Sequence, residues 1–92
     1  MSAQNVTTQD PATQNVIMYS TDWCGDCHRA KSFLDAHGIS YQEVDIEARP
    51  EAAELVMSHN EGRRRVPTFE IEGKFFGNPP ITELKTALGL RS

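Results

Sequence analysis

The only two cysteines of the chain, Cys24 and Cys27, stand two residues apart in Trp23-Cys24-Gly25-Asp26-Cys27. Sulfurs at that spacing can exchange a disulfide, hold a metal or, with His28 next in line, carry a c-type haem. The surroundings discriminate. An apolar run, Val16-Ile17-Met18-Tyr19, comes shortly before the pair, and a helical pattern through Ala30, Phe33, Leu34 and His37 follows it. A strand that ends near such a pair and then becomes a helix sets the first sulfur at the helix N-terminus. There, backbone N–H groups and aligned peptide dipoles stabilise a thiolate. Cys27 shares a helix face with Ala30, Phe33 and Leu34, so it is expected to face the core. Cys24 is then the exposed sulfur that attacks, and Cys27 the one that resolves. Thiol–disulfide exchange needs a thiolate, an accessible disulfide and a leaving sulfur, and a route in which a second small thiol frees Cys24 needs Cys24 alone.

The rival readings lack parts. Haem attachment requires export and a second axial ligand, for which Met18 and Met57 are the obvious candidates, yet residues 1–15 contain no Lys or Arg and no apolar block. Zinc would need His28, His37 or His59 beside the two cysteines. His28 lies about 100° round the helix from Cys27, the other two occupy helix ends, and there is no second cysteine pair. No metal site is expected.

The elements that must position the dithiol follow from patterning. Residues 1–15, mostly Ser, Ala, Gln, Asn and Thr, read as a disordered arm, and 16–92 as one domain. Val16 to Ser20 reads as a buried strand. Thr21 and Asp22 are N-cap types, so a helix should begin near Cys24 and run to His37, with Gly38 as its stop. A strand is expected near Tyr41 to Asp45, and a second helix opens at Arg49-Pro50 with Ala52, Leu55 and Val56 as its apolar face. Val66 to Ile71 and Lys74 to Phe76 form a hairpin about Glu72-Gly73, and a last helix runs from about Ile81 to Leu88 with Ile81, Leu84 and Leu88 on one side. The order β-α-β-α-β-β-α implies an α/β fold: a four-stranded mixed sheet, its first two strands parallel, with three helices covering both faces. This is the minimal thioredoxin-like architecture, with the C-x-x-C where that fold carries its active site.

Two segments, Tyr19-Ser20-Thr21-Asp22-Trp23-Cys24-Gly25-Asp26-Cys27 and Val66-Pro67-Thr68, resemble the signature segments of glutaredoxins. The short length and Asn78-Pro79 before the last helix are most like the mycoredoxin branch of actinobacterial glutaredoxins. The resemblance spans Val16 to Leu88. It departs in Gly25-Asp26 between the cysteines, in Arg65 where Thr is usual, and in Gly77-Asn78 where Gly-Gly is common. Members with a bridged iron–sulfur cluster usually carry a single cysteine, unlike this chain. The resemblance implies a thiol–disulfide oxidoreductase with no bound cofactor, using mycothiol or glutathione as co-substrate and acting on thiolated or disulfide-bonded proteins. The runner-up is a dithiol redoxin, reduced by a flavoprotein thioredoxin reductase and feeding ribonucleotide reductase or a peroxidase.

It also implies a cis Val66–Pro67 bond beside the cysteines, leaving the Val66 backbone to pair with a bound thiol. Trp23 would form an apolar shoulder at Cys24. Arg65 and Asn78 are candidate contacts for the polar groups of the small thiol, since guanidinium matches carboxylates and helix N-termini attract anions. Asp26, a carboxylate between the sulfurs, opposes a thiolate and should make the pair more reducing than an uncharged residue would.

Charge excludes other classes. A net charge of −4 disfavours nucleic acid, despite Arg63-Arg64-Arg65, and no apolar run approaches a membrane span of about 20 residues. Absence of an export signal gives a cytoplasmic protein as the expectation, and a monomer is expected.

Overall fold

A computed structural model describes residues 15–90. Of the expected arm, residues 1–14 lie outside the described region. Asn15 is laced to the hairpin turn: its N–H donates to Glu72 Oε2 at 2.9 Å, and its carbonyl accepts the Glu72 N–H at 3.2 Å.

The elements are β1 (Val16–Ser20), α1 (Gly25–Ala36), β2 (Gln42–Asp45), α2 (Pro50–Ser58), β3 (Thr68–Ile71), β4 (Lys74–Gly77) and α3 (Ile81–Ala87). They form one four-stranded sheet in the order β2-β1-β3-β4. β1 pairs parallel with β2, with Ser20 opposite Asp45, and antiparallel with β3, with Tyr19 opposite Thr68. The β3–β4 hairpin closes through Glu72 and Gly73, with φ of 52° and 82°. Positive φ at both positions matches the right-handed strand twist, and glycine meets it without a Cβ clash. The architecture is the expected thioredoxin-like one.

Alternation along β1 and β3 divides the core. Val16, Met18, Phe69 and Ile71 pack with Cys27, Ala30 and Leu34 of α1 and with Leu84 and Leu88. Tyr19 points the other way, into Ile46 and the α2 residues Ala52, Ala53 and Val56. The parallel crossover therefore leaves α1 and α3 on one face and α2 on the other.

Four expectations shift. The N-cap of α1 is Cys24 itself, in an extended conformation, rather than Thr21 or Asp22. The third strand begins at Thr68 because Val66 and Pro67 form a separate bend. Leu55 is 37% exposed, its place on α2 taken by Ala53, since a small residue lets the helix approach the sheet. Ile81 is 43% exposed and borders a groove, leaving Leu84 to anchor α3.

Tyr19 joins the two strands chemically as well as sterically. Its hydroxyl donates to Glu70 Oε1 at 3.1 Å, and burial, then that bond and the nearby charge, push its pKa up to about 12. A phenol that holds its proton more tightly when folded stabilises the fold fully below its ordinary 10.0, and that contribution is lost as pH rises towards about 12. Tyr19→Phe should therefore fall less steeply in Tm than the parent chain between pH 10 and pH 12, as read by circular-dichroism melts.

Candidate active site

β1 ends at Ser20, and the chain needs only Thr21-Asp22-Trp23 to reach the first turn of α1. That brevity puts both cysteines over the C-terminal end of the central strand. Cys24 Sγ accepts the Cys27 N–H at 3.0 Å, so the sulfur caps the helix as a Ser or Asp oxygen would. Both sulfurs are free thiols.

Of the expected asymmetry, the buried position of Cys27 is found and the exposure of Cys24 is not. Cys27 is 0% exposed, within the cluster of Met18, Ala30 and Leu34. Burial, then its contact with Cys24, pushes its pKa up to about 12, although a backbone hydrogen bond from Thr21 works in the opposite direction. It is a thiol at neutral pH. Cys24, expected to be exposed, is only 6% exposed. Its sulfur folds back over the first turn to take the Cys27 N–H, and so belongs to the same apolar cluster instead of projecting from the helix tip.

Trp23 is 69% exposed, and its indole N–H donates to Glu47 Oε2 at 3.1 Å. An exposed ring is thereby held beside Cys24, tying the loop after β1 to the loop after β2. Asp26, in the first turn, pairs with Arg29, and Asn78 Nδ2 reaches its other oxygen at 3.3 Å. The carboxylate between the cysteines thus meets a cation at one oxygen and an amide donor at the other.

The Val66–Pro67 peptide bond is cis. Pro67 is fully buried, Val66 packs against the cluster that holds both sulfurs, and among the described residues the Val66 N–H and C=O have no backbone partner. This bend is fastened at both ends. Asn78 N–H donates to the Pro67 carbonyl at 2.7 Å, with Asn78 at φ 42°. Thr68 Oγ1 donates to the Arg65 carbonyl at 2.6 Å, while Asn60 Nδ2 donates to Val56 O at 2.7 Å and to Thr68 Oγ1 at 3.3 Å. The structure thus brings Cys24, Cys27, Val66, Pro67, Asp26 and Asn78 together. Arg65 is exposed at the margin, and among the described residues the three arginines 63–65 make no ion pair. An open groove of about 440 Å³ runs from Asp26 and Arg29 over Pro67 and Asn78 to Ile81 and Leu84.

Asn60 and Gly77 were not legible as site residues. Asn60 has only the signature of a helix end, and Gly77 that of a chain break. Yet a Cβ at Gly77 would collide with Asn60 Oδ1 and come within 2.7 Å of Arg65 Cδ. The glycine lets the arginine stem and the amide lie over the end of β4. Glu47 likewise carries no sequence signal.

The sequence model of the glutaredoxin family matches residues 16–76. The chain belongs to the glutaredoxin family. As such it is a thiol–disulfide oxidoreductase, an enzyme class that works with small thiols and protein disulfides. This glutaredoxin is 46% identical over 77 residues to a Mycobacterium tuberculosis protein described as a glutaredoxin, spanning 83% of this chain and 92% of the relative. It is 39% identical over 71 residues to mycoredoxin 1 of Corynebacterium glutamicum, spanning 76% and 87% of the two chains. The crystal structure of the Methanosarcina mazei glutaredoxin superposes with a TM-score of 0.70 at 28% identity, covering 83% of this chain and 79% of that one. Among the described residues no helix is long and apolar enough to cross a membrane, and no group of three or more His, Cys, Asp or Glu could hold a metal.

Gly77→Ala should move Asn60 and Arg65 together. The expected cost is about 1–3 kcal/mol in urea unfolding, typical of overpacking, with a rise in KM for a thiolated substrate that exceeds any fall in kcat.

Proposed function

We propose that this glutaredoxin reduces mixed disulfides between proteins and a low-molecular-weight thiol, mycothiol in preference to glutathione, through Cys24. The observation that carries the reading is the inequality of the two sulfurs. Cys24 caps a helix and accepts an N–H that stabilises charge on it, whereas Cys27 is sealed off as a thiol. The Cys24 thiolate attacks the sulfur that comes from the small thiol, forming a disulfide with it and expelling the protein thiolate, which takes up a proton. A second small thiol then attacks that disulfide and frees Cys24. Only Cys24 is needed for this cycle.

Other groups would position the adduct. The unpaired Val66 backbone offers one donor and one acceptor to the backbone of an extended cysteinyl group, as an added strand would. Arg65, with Arg63 near it in sequence, would hold a carboxylate or polar group of the small thiol, and Asn78 would contact it from the far side. Trp23 would carry the apolar part of the protein client. Mycothiol is favoured over glutathione by the likeness to mycoredoxin 1. Residues 16–92 are taken as the redox unit, acting as a monomer in the cytosol on thiolated or disulfide-bonded proteins.

A second reading is favoured by one feature: Cys27 lies directly under Cys24, so an internal disulfide can close. The protein would then be a dithiol redoxin, recharged by a flavoprotein reductase.

The two readings separate on single substitutions. Cys24→Ser should abolish turnover, and Cys27→Ser should keep the larger part of it with mycothiol–protein mixed disulfides. Activity that needs both cysteines and a reductase would select the second reading, and faster turnover of glutathione adducts would overturn the choice of thiol. For the dithiol form, Asp26→Asn should move the midpoint potential to less negative values, measured against a glutathione redox buffer. Pairing with Arg29 holds the shift to roughly 5–20 mV, equivalent to about 0.2–1 kcal/mol.

A further inference from the structure

Cys27 must lose a proton before it can close an internal disulfide, and it sits where charge is costly. β1, β3 and α3 surround it with the apolar Met18, Phe69 and Leu84. Besides Cys24, the charged group that bears on it is Lys31, on the same helix. Residues four apart on a helix are neighbours on one face, so the Lys31 stem runs from the Cys27 side of α1 towards the sheet.

Lys31 does not stand free. Its Nζ is 3.1 Å from Glu43 Oε2, and Ser20 Oγ, buried at the end of β1, donates to that same oxygen at 2.7 Å. The pair joins α1 to β2 across β1. Its side chains are 29% and 37% exposed, so screening by water is incomplete. The Glu43 bonds raise the Lys31 pKa, and the Ser20 bond, with Lys31 next, holds the Glu43 carboxyl below its ordinary range. Both partners remain charged at neutral pH. Tyr41 also bears on Lys31, its pKa moved still further above neutrality by burial, and His28 bears on Glu43.

We infer that Lys31 is a positioning residue for the resolving step: its ammonium group stabilises the Cys27 thiolate, and Glu43, seated by Ser20, sets how strongly it does so. The inference rests on the reading of Cys24 as the attacking sulfur. The step it governs balances without any further reactant. The Cys27 thiol gives its proton to solvent, the thiolate attacks Cys24 Sγ in the mixed disulfide, the bond from Cys24 to the small thiol breaks, and the departing thiolate takes up a proton. The pair thereby decides how readily an adduct on Cys24 closes to the internal disulfide or waits for a second small thiol.

The full chain can be tested with 5,5′-dithiobis(2-nitrobenzoate) in a stopped-flow instrument. One coloured thiolate is released when Cys24 forms the mixed disulfide, and another when Cys27 closes it. Lys31→Met should move the pH midpoint of the second phase up, and Glu43→Gln should move it down, each by roughly half a pH unit or more for a charge at this range. At neutral pH the second phase then slows about threefold in the first variant and quickens about threefold in the other. Lys31→Arg should restore the parent midpoint. Shifts of opposite sign are not produced by a merely structural pair, whose loss on either side would disturb the site alike. Midpoints that stay in place, or move in the same direction, overturn the inference. Cys24→Ser that keeps a fast first phase overturns the underlying reading, and this one with it.

Discussion

One hydrogen bond organises this molecule, that from the Cys27 N–H to Cys24 Sγ. A helix begins with backbone donors that lack intrahelical partners, and the chain satisfies one of them with a sulfur in place of an oxygen. The same act orients Cys24, draws it into the apolar cluster and leaves Cys27 beneath it. It requires β1 to end, and α1 to start, within a few residues of each other, directly over the centre of the sheet. Burying both faces of β1 meets that need: β2 and β3 flank it, with α1 and α3 over one side and α2 over the other. The remaining site loops are then attached to this fixed point.

Those attachments share a pattern. Each loop that borders the dithiol is tied to a neighbour by a polar bond: Trp23 to Glu47, Asp26 to Asn78, Asn78 to the Pro67 carbonyl, and Thr68 to the Arg65 carbonyl. A small domain cannot spend much apolar surface on loops, so hydrogen bonds at their ends set the geometry. The result is a rim of named contacts around a sulfur that is itself almost covered. Access to Cys24 depends on how a substrate meets that rim, more than on a free side chain at a helix tip.

Much of this was legible in the residues. The unbroken apolar run from Val16 to Tyr19, the alternation from Thr68 to Ile71, the 3.6-residue pattern after Cys27, and Glu72-Gly73 at the turn gave element types and order, because burial dictates the first three patterns and the turn requires positive φ. Cys24, Cys27 and Val66-Pro67 stood out as candidate site residues because the chemistry in question is open to few residue types. What stayed hidden was tertiary. Whether Leu55 or Ala53 faces the sheet depends on how closely α2 approaches: two residues apart, they lie about 160° from each other round the helix, and residue type alone favours the larger apolar side chain. Cys24 was read as exposed because a helix tip is usually open, and nothing in the sequence states that its side chain turns back. Asn60, Gly77 and Glu47 act through partners 8 to 24 residues away, and no local signal encodes such a meeting.

The clamp between Trp23 and Glu47 has an optical side. The chain contains one tryptophan, and it is the residue next to Cys24. All indole emission therefore originates at the mouth of the site, from a ring whose N–H is already engaged by a carboxylate. Closing a disulfide, seating an adduct or docking a client alters the quenching and polarity around that single chromophore. The enzyme thus reports its own chemical state by fluorescence, with no dye attached and no second indole to subtract.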